Sequence, residues 1–127
     1  MAKLDHKVLL DTIKNRIEEK AYPELETLIT EPHPADLADL IEHLESDERL
    51  SVFKLLTSER AGEVLIEISS PIQESLTNGL DDQTIAHILN ELNSDDATDI
   101  VNYLPRERAQ KIIGLVEPDV SEELQKL

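Results

Sequence analysis

Residues 33–127 of this chain repeat with a fixed period of 24: 33–56, 57–80 and 81–104 align, and 105–127 repeats the frame one residue short. Apolar residues coincide in that frame. Leu37, Ala61, Ile85 and Ala109 share one position, and Leu40, Val64, Ile88 and Ile112 share another. Leu44, Ile68, Leu92 and Val116 form a third set, and Val52, Leu76, Ile100 and Leu124 a fourth. A period of this size marks stacked units, none of which can bury its apolar face alone. The chain is therefore expected to fold by stacking and to present an extended surface.

Each unit reads as two short helices. Pro34 suits a first helical turn, where a missing N–H costs nothing. Leu37, Leu40, Ile41 and Leu44 follow at helical spacing, and Ser46 can cap a second helix carrying Leu50, Val52, Phe53 and Leu56. Thr57, Asp81 and Ser94 are expected N-caps. Ser70-Pro71 pairs a cap with a first-turn proline, and Pro105 and Pro118 open the last two helices. Asn78-Gly79 fits a helix end with glycine in the left-handed region. Ahead of the repeats, Leu4, Val8, Leu9, Ile13 and Ile17 predict one amphipathic helix to about Lys20, broken at Tyr22-Pro23. Glu24 to Ile29 suits a further short helix. Strand signals are nearly absent, since Val64–Ile68 keeps the helical period. The expectation is one all-α domain over 1–127. It comprises a lead-in (1–32) and four repeats, with nine or ten helices in a right-handed superhelical stack of helix pairs.

Composition narrows the function. Twenty-eight acidic residues face twelve basic ones, a formal charge of −16. Nucleic-acid backbones and anionic membrane surfaces demand the opposite sign. With no cysteine, disulfides, thiolate metal sites and thiol nucleophiles are excluded. No apolar run approaches the ~20 residues that span a bilayer. The opening MAKLDHKVLL is too short and too soon charged for a signal peptide, so a soluble, cytosolic chain is expected. Its charge is uneven. Between Ala61 and Pro105 there is no Lys or Arg, against nine carboxylates: Glu63, Glu67, Glu74, Asp81, Asp82, Glu91, Asp95, Asp96 and Asp99. Their mutual repulsion opposes compaction, and a cation or a basic partner surface would relieve it.

Within that stretch, Asp95 and Asp99 are four apart at the start of a helix, which puts them on one face about 5–6 Å apart at Cβ. Like charges at that spacing are mildly destabilising on their own. On spacing alone, Asp95 and Asp96 fit a plain first helical turn better. Asp39, Glu63, His87 and Lys111 share a repeat position, and a ladder of solvated side chains is the expected result. The histidines, His6, His33, His43 and His87, lack the convergent spacing of a zinc site. Glycine forms no phosphate loop and no serine sits on a nucleophile elbow, so no enzyme is expected.

The His33–Leu40 string HPADLADL, the 24-residue recurrence and the Asp95–Asp99 string DDATD together resemble the N-terminal cytosolic domain of MgtE-type magnesium transporters, over about residues 20–127. That resemblance implies a domain followed by paired CBS domains and a membrane channel, in a transporter that forms a homodimer. It implies Mg²⁺ as ligand, held between this domain and the CBS domains. At matching positions, Glu63, Asp95 and Asp99 would be acidic ligands, with Asp96 able to share the load. It further implies a regulatory domain at the cytoplasmic face of the membrane that favours the closed pore when magnesium is abundant. This piece alone would be a soluble monomer that binds Mg²⁺ weakly. A second resemblance, to the superhelical middle domain of the flagellar motor switch protein with its own His-Pro motif, implies an acidic scaffold for protein–protein interaction.

Overall fold

The structure is a computed structural model that describes residues 6–125. Its ten helices are α1 (His6–Glu18), α2 (Tyr22–Thr30), α3 (Pro34–Glu42), α4 (Ser46–Leu55), α5 (Ser58–Leu65), α6 (Ser70–Gly79), α7 (Asp82–Glu91), α8 (Ser94–Asn102), α9 (Arg106–Ile113) and α10 (Pro118–Gln125). Each 24-residue unit holds one pair, and α1 and α2 form the lead-in. No strand occurs among the described residues. The expected first-helix residue Leu4 lies outside them.

The pairs stack into two rows. In one row α3 packs on α5, α5 on α7 and α7 on α9; in the other α2 packs on α4, α4 on α6, α6 on α8 and α8 on α10. α1 packs chiefly on α2 and α4. A single apolar core runs through both rows from Ile13 to Leu124. The four repeated apolar positions supply much of it: all sixteen residues are buried except Ala109 and Leu92, which are half-buried. Full burial of a Leu or Ile side chain contributes about 1.5–3 kcal/mol. The recurrence therefore selects this packing rather than merely accompanying it.

Several local expectations are revised. Thr57 and Asp81 do cap, accepting from the backbone N–H of Arg60 (3.2 Å) and Thr84 (2.7 Å). Elsewhere the cap falls one residue earlier than expected. Glu45 forms a capping box with Glu48 ahead of α4, Ser69 precedes α6 without a side-chain bond, and Asn93 caps α8. At the α8 start two adjacent residues are both good caps, and the amide of Asn93, in extended backbone, wins the position. Gly79 is not left-handed; no described glycine has positive φ. It is instead the last residue of α6, where a Cβ would stand 2.9 Å from both methyls of Leu50. Its smallness serves the α4–α6 packing. The left-handed residue is Lys20 (φ 58°). There the Ala21 N–H bonds the Arg16 carbonyl at 2.9 Å, the bond pattern that ends a helix by a left-handed step. Lys20 therefore ends α1, and Pro23 sits in the first turn of α2. Val8, expected on the apolar stripe, is 51% exposed.

Candidate functional site

The acidic surface is built where α5 meets the α7–α8 corner. Asn93 has an extended backbone and its side chain accepts from the Asp96 N–H at 3.1 Å. This sets the direction of α8 and leaves Asp95 and Asp96 in its first turn, where the helix dipole favours carboxylates. Ala97 and Ile100 are buried on the inner side. Asp95 and Asp99 are exposed one turn apart and Asp96 is half-buried. The Thr98 hydroxyl donates to the Ser94 carbonyl at 2.6 Å and further ties that first turn.

Glu63 is exposed on α5 between buried Gly62 and Val64. Gly62 brings the two helices close. A Cβ there would lie 3.2 Å from Leu92 Cδ2, 3.7 Å from Glu91 Cβ and 3.8 Å from the Ile88 carbonyl oxygen. The backbone beside Glu63 thus abuts the end of α7, two residues before α8 begins. The sequence did not foretell this approach, which the small Gly62 accommodates.

Charge compensation is selective. Arg108 comes back from α9 to pair with Asp82, Nε to Oδ1 2.7 Å, so one carboxylate of the Lys/Arg-free stretch has a counter-ion from outside it. Asp81 is held below the usual carboxylate range. The Thr84 backbone N–H is the main cause, its hydroxyl adds to this, and the charges of Lys54 and His87 assist against slight desolvation. Among the described residues, no ion pair reaches Glu63, Asp95, Asp96 or Asp99. Nor do any three His, Asp or Glu side chains converge there as a metal cage. Among the described residues these carboxylates therefore form no closed metal site.

The ladder position holds exposed Asp39, Glu63, His87 and Lys111 on successive helices of one row. Asp39 is engaged by His6 (Nδ1 to Oδ2 3.1 Å), in keeping with a solvated helix face. Local spacing does not reveal the Arg108–Asp82 pair, which joins residues 26 apart in the chain. Arg60 and Arg108 do share a repeat position, a signal that could have drawn attention to Arg108.

A two-row, all-helical stack of this kind places the chain among all-α helical-repeat domains. The sequence profile of the MgtE intracellular N domain matches residues 32–127, and the chain belongs to that family. Two solved structures share the fold. One is a crystal structure of the soluble part of a magnesium transporter (TM-score 0.82, 14% identity, 96% of this chain and 48% of that one). The other is the cytosolic domain of the Mg²⁺ channel MgtE in complex with ATP (TM-score 0.78, 27% identity, 91% of this chain and 48% of that one). The chain thus spans about half the length of each. No curated protein matches it. Among the described residues, no helix is long and apolar enough to cross a membrane.

Proposed function

We propose that this domain is the magnesium-sensing cytoplasmic module of a magnesium transporter, and that it works by sharing ions with a second acidic module. Glu63, Asp95 and Asp99, with Asp96 beside them, supply one half of each site. The CBS domains of the same polypeptide supply the other half and stand between this domain and a membrane channel. The supporting observation is that Glu63, Asp95 and Asp99 are exposed and belong to no ion pair among the described residues, in a chain of the MgtE intracellular N domain family. Two acidic faces repel until divalent ions lie between them. Ions bind the closed assembly better than the open one, and only that difference can shift the pore.

Half-sites bind weakly when alone. Magnesium added to this chain should shift the amide resonances of residues 63, 95 and 99 without saturating at low concentration and without changing the fold. In the full transporter, Asp95→Asn with Asp99→Asn should raise the magnesium concentration needed for closure. Closure at the wild-type concentration would remove these residues from the ligand set. Stabilisation of this chain by magnesium should exceed that by sodium chloride at equal ionic strength, since equal gains would be screening alone. Equal gains would leave the scaffold reading, in which the acidic face docks a basic protein surface.

A further inference from the structure

We propose that the groove between α1 and α3 is a docking slot for a basic amphipathic helix of a partner module. The slot follows from the stacking. In the row α3–α5–α7–α9 each helix is covered by the next, but α1 does not extend that row beyond α3. It leans on α2 and α4 and touches α3 through the His6–Asp39 pair. An open groove of about 540 Å³ remains, within the ~300–1,000 Å³ typical of binding clefts.

Its chemistry selects the occupant. Leu9 and Pro32 supply apolar lining over buried Leu40, and His6, His33, Glu31 and Asp36 stand around them. Neither carboxylate belongs to an ion pair among the described residues. An anion would be repelled. A purely apolar ligand would crowd two unpaired charges. A bare metal ion lacks a cage, since no three His, Asp or Glu converge among the described residues. A helix with an aliphatic ridge flanked by Lys or Arg meets both demands, laying the ridge on half-buried Leu9 and Pro32 and its cations on Glu31 and Asp36. It would also pack as the other helices of this row pack on one another. One wall is fixed in advance, because the Arg60 guanidinium donates to the carbonyls of Ile29 and Pro32. Little ordering of the loop therefore accompanies docking.

The test uses the whole chain and a synthetic peptide helix of leucine ridge and lysine flanks, with a scrambled peptide of the same composition, in physiological salt. Saturable binding of the patterned peptide, with resonance shifts centred on Leu9, Glu31 and Leu40, is expected. Glu31→Lys with Asp36→Lys should weaken it about tenfold or more, while Glu74→Lys with Glu107→Lys, an equal charge change elsewhere, should alter it less than about threefold. Both pairs lie on exposed positions, so folding is retained. Equal loss in the two pairs, equal binding of the scrambled peptide, or shifts spread over residues 61–105 would overturn the proposal. So would self-association abolished by the groove pair, which would assign the slot to a second copy.

Discussion

Arg60 and Arg108 stand at one repeat position, two units apart, and each donates to carbonyls 31 and 28 residues earlier in the chain: Ile29 and Pro32 for Arg60, Thr77 and Leu80 for Arg108. Arg49 and Gln73, one unit apart, likewise each reach a carbonyl 8 residues back, Ile41 at 3.0 Å and Leu65 at 2.8 Å. The repeat therefore reproduces polar staples as well as an apolar core. They add donors to carbonyls at or just beyond helix ends, where the ladder within each helix runs out.

Removing such a staple leaves partly buried carbonyls without a donor. Arg60→Met and Arg108→Met should each destabilise the domain by about 1–3 kcal/mol in urea unfolding. Arg60→Lys should recover less than half of the loss, because one ammonium cannot reproduce the guanidinium fork. Full recovery by lysine would show that charge, not geometry, is what matters there.

Lys20 adopts the left-handed conformation at the end of α1, which strains any residue with a Cβ. Lys20→Gly should stabilise the domain by roughly 0.5 kcal/mol, the relief of that strain less the greater freedom of glycine in the unfolded chain. A loss of stability in thermal unfolding would mean that the Lys20 side chain makes a compensating contribution.

Asp81 gives a pH dependence whose sign is fixed. Its carboxyl is held low, chiefly by the Thr84 N–H. Its stabilisation is therefore complete above the unfolded carboxyl value of about 3.9 and is lost as pH falls through the lower folded value. Asp81→Asn keeps a capping oxygen but cannot titrate. Between about pH 5 and pH 2 the wild type should lose more stability than the variant. Parallel curves would rule out this contribution.

Asp95 and Asp99, one turn apart and both exposed, repel each other. Asp99→Asn should stabilise the isolated domain by about 0.2–0.5 kcal/mol at low salt, and the gain should shrink as salt is added. Asp95→Asn removes the same repulsion but also a carboxylate at the helix N-terminus, so its net gain should be smaller. Calorimetric unfolding of both variants at two salt concentrations checks the order.

The period of 24 residues was enough to determine the helix pairs and much of the core, because water sorts apolar side chains by face wherever helices stack at regular intervals. Their separation of four marked Asp95 and Asp99 as a pair on one helix face. Tertiary structure decided what depends on distance across the stack. Arg108 became the partner of Asp82, Gly62 drew α5 against the α7–α8 corner, and α1 leaned away from α3 to leave a groove. At the α8 start, adjacent residues of similar capping propensity left the choice to backbone geometry. Hydrophobic periodicity is a local statistic summed over many residues. A guanidinium fork or a close backbone approach is a single long-range contact, and it exists only once the rows have packed.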